Sequence, residues 1–165
     1  MATSKQEKSV IAFYSHKPEK YPTNQRQLHH FSNFSPDAIV VDGIIYPTSE
    51  HYFQSQKTTD SARRNTIRNA STPAEAAAMG RDKSHPIRPD WDSVRDDVML
   101  VALRAKFTQQ SRCRDALLGT GDAYLEERTK NDSYWGTGSD LPNGSGKNRL
   151  GILLMQVRSE LVKSK

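Results

Sequence analysis

Glu50, Gln54 and Lys57 lie in the stretch VDGIIYPTSEHYFQSQK, residues 41–57, at i, i+4 and i+7. On a helix this spacing puts an acid, an amide and an amine on one face. Such a face is unusual to point at a core and plausible to point at a substrate. From the residues alone, ordinary helix-end charges remain the simpler reading of Glu50 and Lys57. A second group sits in NDSYWGTG, residues 131–138, where Asp132, Tyr134, Trp135 and Gly136 open a glycine-rich loop that runs to Lys147. Long loops of this composition often carry function. Two carboxylates beside aromatics, Glu50 and Asp132, suit cleavage of a glycosidic bond to a base. That reaction needs an acid for the leaving nitrogen and a negative group near the developing oxocarbenium.

Other candidates are binding groups. Asn33 and Phe34 in FSNF, with Trp91 and Trp135, would frame a planar ligand or simply pack the core. Arg81 follows a glycine-ended helix, where it can hydrogen-bond the last carbonyls or reach for a phosphate, and Arg149 opens the last helix. Asn148, as N-cap of that last helix and preceded by glycines, marks a helix N-terminus suited to an anion.

The elements that must hold these residues are legible in outline. Residues 10–14, VIAFY, form a strand, and AIVV and IIY flank Asp42-Gly43 as a hairpin. Pro47 ends the return strand, Thr48 caps the next helix, and Glu50 sits in its first turn. Residues 15–30 are expected as a polar loop, with the adjacent His29 and His30 solvated rather than metal-bound. SARRNTIRNA is a basic helical segment. TPAEAAAMG carries Thr72 as N-cap, Pro73 at N1, Glu75 at N3 and Gly80 at the end. Asp90 starts the longest helix, 91–109, whose apolar stripe marks it as central. Ser111 is expected to cap a helix to Leu118, and AYLEE to add a strand to the small sheet. The last helix spans 150–162. The order implies an α+β class: one predominantly helical domain over 10–163 with a small antiparallel sheet, after a tail at 1–9.

Composition narrows the class further. The chain has 165 residues, 35% hydrophobic and 26% charged, with net charge +5. That fits one soluble domain with a mild preference for anions. No run approaches the about 18 apolar residues of a membrane helix, and no secretory leader is evident. Cys113 stands alone, which excludes an internal disulfide and a cysteine-based metal centre and suits a reducing, cytoplasmic setting or a nuclear one. Dinucleotide fingerprints, P-loops, zinc-protease motifs and nucleophile elbows are absent. Neither metal nor cofactor is expected.

GIIYPTSEHYFQSQK, MGRDKSHPIRPDW, ALRAKFTQ, NDSYWGTG and GKNRLGILLMQVR together resemble the successive motifs of the YbiA-like, or NADAR, family, from Phe13 to about Leu161. The resemblance implies an α+β fold and hydrolysis of N-glycosidic bonds. Two substrate classes are associated with the family: ADP-ribose on the amino group of guanine in DNA or RNA, and ribosylamino-pyrimidine intermediates of riboflavin synthesis. In both, ribose C1 is bound to an exocyclic amine, which can ring-open to an imine. A lysine can capture that imine, so Lys57 becomes the expected nucleophile, Glu50 the acid/base, and Asp132 a group that orients ribose or assists proton transfer. Asn33, Phe34, Gln54, Arg81, Trp91, Tyr134, Trp135, Gly136, Asn148 and Arg149 are the expected binding residues. A non-catalytic ADP-ribose or NAD-binding module is the alternative outside enzymes.

Overall fold

The computed structural model describes residues 7–165; residues 1–6, most of the expected tail, lie outside the described residues. Four strands, β1 (Val10–Phe13), β2 (Ile39–Val41), β3 (Ile44–Tyr46) and β4 (Tyr124–Glu127), accompany six helices. These are α1 (Ser49–Ser55), α2 (Ser61–Arg68), α3 (Pro73–Gly80), α4 (Trp91–Gln109), α5 (Ser111–Leu118) and α6 (Arg149–Lys163). The α+β class and the antiparallel hairpin are as the sequence implies. Asp42 and Gly43 both adopt positive φ, at 52° and 77°, the two-residue turn that fits the twist of a hairpin. Ile39 pairs with Tyr46, and Val41 with Ile44.

Strand β4 does not join that hairpin. It pairs in parallel with β1, Val10 against Tyr124 through Phe13 against Glu127. A parallel pair needs a long crossover, and here the hairpin and helices α1–α5 supply it. Among the described residues there are therefore two separate two-stranded sheets rather than one small sheet.

Residues 15–30 also differ from expectation. Pro18–Lys20 and Thr23–Phe31 are 3-10 helices, and the second buries Leu28, His30 and Phe31. His30 is no solvated loop residue: its Nδ1 lies 2.8 Å from the buried Asp37 carboxylate. Ser35 Oγ donates to the same Asp37 oxygen at 2.7 Å, and Arg112 to the other at 3.0 Å. Two apolar anchors on one turn, Leu28 and Phe31, outweigh the polar composition that suggested a loop. The His30, Asp37 and Cys113 ligand atoms lie within 4.8 Å of one another, and Asp37 already holds these hydrogen-bond partners. Lys106, fully buried on α4, donates to Ser32 C=O at 2.9 Å and Ser35 Oγ at 2.7 Å, which fixes the turn bearing Asn33 and Phe34.

The main core joins Phe13, Phe31, Leu103, Phe107, Leu125, Leu150 and Leu154, so α6 packs on β4, the Thr23–Phe31 3-10 helix on β1, and α4 on α6 within the same core. Caps follow the sequence at Thr48 and Thr72, whose hydroxyls accept from His51 N–H and Glu75 N–H. They do not at Asp90, which Arg88 takes as an ion pair, nor at Ser111, where Gln110 holds the cap position. Asn148 departs most. It stands at the N-cap of α6 with φ +49° but caps nothing with its side chain. Its Oδ1 accepts from Glu127 N–H at 2.9 Å, and its Nδ2 donates to Leu125 C=O at 2.9 Å and Tyr124 Oη at 3.1 Å. One buried amide thus fastens the free edge of β4 to α6.

Replacing Asn148 with Ala is expected to lower unfolding free energy by about 3 kcal/mol, since buried backbone groups of Leu125 and Glu127 lose their partners. Asn148→Gly, which relieves the positive φ, should recover only a part. An unchanged urea midpoint for the alanine variant would contradict this role.

Candidate active site

A cavity of about 340 Å³ lies where α1, the 32–34 turn, α3, α4, the end of β4 and the start of α6 meet. Its polar lining is Asn33, Glu50, Gln54, Lys57, Arg81, Glu127 and Asp132, and its apolar walls include Phe34, Phe53, Met99, Trp135 and Leu150. The volume sits at the small end of the roughly 300–1,000 Å³ of small-molecule sites, and its three carboxyls and two cations make it unusually polar for one.

Helix α1 carries the centre, and all seven of its residues are buried. The Glu50 amide bonds the Asn33 carbonyl at 3.1 Å, and Ser49 Oγ bonds Asn33 Oδ1 at 2.8 Å, so the turn and the helix hold each other. Gln54 Nε2 donates to Glu50 Oε1 at 2.7 Å, the i, i+4 contact that the spacing implies. Gly80 of α3 packs directly on Gln54: a Cβ there would collide with the amide oxygen. Burial pushes the Glu50 carboxyl above its ordinary range, against the opposing pull of the Gln54 hydrogen bond and of Lys57 and Arg81.

Lys57 lies beyond the helix, which ends at Ser55 with Gln56 as C-cap. The turn continues far enough for its amide to bond Gln54 C=O at 3.2 Å, so the residue still reaches the cavity. The Lys57 Nζ stands 5.8 Å from the Phe53 ring centre and 6.0 Å from that of Trp91. Burial lowers the Lys57 pKa, and Arg81 adds to the lowering, while Glu50 opposes both. A lysine at an apolar wall beside another cation carries a larger neutral, nucleophilic fraction than one in water.

Asp132 reaches the cavity with one oxygen already committed. Its Oδ1 accepts from the amides of Tyr134 and Trp135, both at 2.9 Å, and so shapes the loop that puts Trp135 on the wall. Trp135 meets Phe53 edge to face at 5.4 Å.

Several expected binding residues do other work. Trp91 is buried behind Phe53 and lies outside the lining. Tyr134 stacks under Arg95 and donates to Asp96 at 2.6 Å; Arg149 pairs with the other oxygen of Asp96. Gly136 is buried where a Cβ would meet Glu127 C=O at 2.9 Å, so it permits the loop to close rather than contacting the cavity. The N–H groups of Arg149 and Leu150 bond the carbonyls of Tyr134 and Trp135 at 3.0 Å each. The start of α6 is thus filled by the chain's own loop, and the anion site expected there is taken. Arg81 alone of the two candidate arginines faces the cavity.

Glu127 is the group that sequence reasoning missed. It lines the cavity with Glu50 and Asp132, its Oε2 is buried without a hydrogen-bond partner, and burial with those two carboxylates pushes its pKa up to about 8. AYLEE offers two adjacent acids, and strand alternation separates them: Glu126 turns to Arg128, and Glu127 turns inward.

The comparisons with known proteins agree with this architecture. Residues 12–162 match the NADAR domain. N-glycosidase YbiA of Escherichia coli is 54% identical over 131 residues, covering 79% of this chain and 80% of that protein. N-glycosidase Npun_R5314 of Nostoc punctiforme is 43% identical, covering 79% and 84%. A riboflavin biosynthesis protein of Vibrio vulnificus, VVA0006, is 40% identical, and the match spans 79% of this chain but 35% of that protein. The NMR structure of E. coli YbiA superposes with a TM-score of 0.82 at 47% identity, covering 96% of this chain and 88% of that one. With the domain match running almost from end to end, the chain belongs to the NADAR domain family.

Proposed function

We propose that this protein is an N-glycosidase that cleaves the bond between ribose C1 and an exocyclic amine, removing ADP-ribose from ADP-ribosylated guanine in nucleic acid through a Schiff base on Lys57. The N-glycosidase class rests on the family and on the relatives that carry that name. One observation carries the mechanism: Lys57, its pKa lowered by burial, shares a single cavity with the buried acid Glu50.

The chemistry follows from the bond. A ribosylamine opens to an imine, and neutral Lys57 attacks C1 to give a carbon bearing both nitrogens. Loss of the original amine leaves the Lys57 imine, and water then releases the sugar and restores the lysine. Glu50 takes the proton that the lysine sheds on attack and returns one as the sugar departs. Trp135 and Phe34 would face the base, Arg81 a phosphate, and Asn33 a ribose hydroxyl. The net charge of +5 favours a nucleic-acid substrate over a free metabolite.

The second reading, hydrolysis of a phosphoribosylamino-pyrimidine, is favoured by the riboflavin-biosynthesis name of the Vibrio relative. Supplying both substrates and measuring free ADP-ribose against ribose 5-phosphate separates the two.

Borohydride added during turnover is expected to trap one sugar adduct per chain on Lys57, located by peptide mass. Lys57→Ala should lose both adduct and turnover; near-full activity in that variant would leave direct attack by water instead. Glu50→Gln should lower kcat by about 10²- to 10⁴-fold, the usual range for a lost proton-transfer group. An ADP-ribose-binding module without catalysis would show tight binding, no product, and no such loss.

A further inference from the structure

Three carboxyl groups and two cations line the cavity, and hydrogen-bond donors reach the carboxyls unequally. Asp132 accepts two backbone N–H bonds on one oxygen. Glu50 accepts the Gln54 amide and lies near both Lys57 and Arg81, which offset part of the burial that raises its pKa. Glu127 has none of this. Its Oε2 is buried and receives no hydrogen bond, and the charges that face it, Asp132 from the loop and Glu50 from α1, are both negative. A carboxyl so placed retains its proton, because ionisation would bury a charge beside two other acidic groups with no donor to offset it.

We propose that Glu127 is a further catalytic residue: the protonated acid that donates to the departing exocyclic nitrogen, leaving Glu50 as the base. The inference rests on the glycosylamine reading above and deepens it. In the step, the proton of Glu127 passes to the nitrogen as the C1–N bond breaks, so the amine leaves neutral. The electron pair that Lys57 nitrogen contributes forms the new imine to C1. The Glu127 carboxylate then takes a proton from the water that attacks that imine, which restores the acid. Over the cycle one water is consumed, one amine and one free sugar are released, and both side chains return to their starting states.

The positioning of Glu127 is built rather than incidental. Asn148 Oδ1 holds its amide, and its carbonyl accepts Thr137 N–H at 2.9 Å, so both ends of its backbone are pinned. The side chain emerges at the last residue of β4, opposite α1 across the cavity. The arrangement puts the acid and the lysine on different elements.

The test compares wild type with Glu127→Gln on 5-phosphoribosyl-4-methoxyaniline and 5-phosphoribosyl-4-nitroaniline, correcting for spontaneous hydrolysis. The first amine is basic and needs the proton to leave; the second leaves readily without it. Glu127→Gln is expected to lose at least 10²-fold in kcat on the methoxyaniline compound and less than 10-fold on the nitroaniline compound. Equal losses on both, or none, would overturn the assignment while leaving the lysine scheme intact. No turnover of either compound, or of ADP-ribosyl-guanine oligonucleotide, by wild type would instead sink the glycosylamine reading itself.

Thermal unfolding provides the control for folding. The folded pKa of Glu127 lies above its unfolded value, so the neutral acid's stabilisation is full below about pH 4.5 and is lost as pH rises through about 8. Wild type should therefore lose stability over that window, and Glu127→Gln, which cannot ionise, should lose less. A variant that melts at or above the wild-type temperature at pH 8 but fails on the basic amine has lost a proton donor, not its fold.

Discussion

Taking the Glu50 carboxyl out of water constrains the rest of the site. A carboxylate moved into a protein interior costs several kcal/mol unless hydrogen bonds and opposite charge offset it. The chain offsets part of that cost with elements from four directions. Gln54 comes from the same helix, Lys57 from the turn after it, Arg81 from the end of α3, and the Asn33 carbonyl fixes the Glu50 amide. None of these works unless α1 is enclosed, and its seven residues are all buried. Gly80 lets α3 approach closely enough to press Gln54 against Glu50. The close approach of two helices is therefore an electrostatic device as much as a packing one.

The opposite wall is held by different means. Two short parallel strands cannot stand alone, and β1 and β4 survive because α6 packs on β4, Phe13 and Leu125 join the main core, and Asn148 bonds the β4 edge. The same bonds set the direction in which the loop 131–147 leaves the strand. That loop folds back so that its carbonyls satisfy the first N–H groups of α6. A helix end that might have taken a phosphate is thereby spent on placing Trp135 and Asp132. Stability and site geometry come from one set of hydrogen bonds.

Much of this was legible because local rules govern it. Thr48 and Thr72 cap helices, the Asp42-Gly43 turn makes a hairpin, and α4 keeps the span its apolar stripe implies. Glu50 and Gln54 meet because i, i+4 spacing on a helix leaves little choice. What was not legible depends on distant partners. The parallel pairing of β1 with β4 joins residues more than a hundred positions apart, and no turn announces it. Tyr134 and Arg149 look like ligand groups until Asp96, on the far side of the loop, claims both. Glu127 was hidden by Glu126, since two adjacent acids in a strand cannot be told apart until its facing is known. The alternation of β4 was the one available signal.

Among the described residues two lysines have depressed pKa values, and the difference between them shows what makes a nucleophile. Lys106 is the more deeply buried, and burial pushes it down to about 8. By titration alone it would be the better candidate. Yet its ammonium is engaged by Ser32 C=O and Ser35 Oγ, Asp37 and Cys113 lie close by, and the cavity lining does not include it. Attack by Lys106 would break the bonds that hold the Asn33 turn, which in turn holds the Glu50 amide. Lys57 is less buried but opens on the cavity, with rings behind it and Glu50 within electrostatic reach. A lowered pKa supplies the free electron pair, and only access to a carbon atom turns it into chemistry. On that ground the fold uses one lysine to build the site and leaves the other free to react.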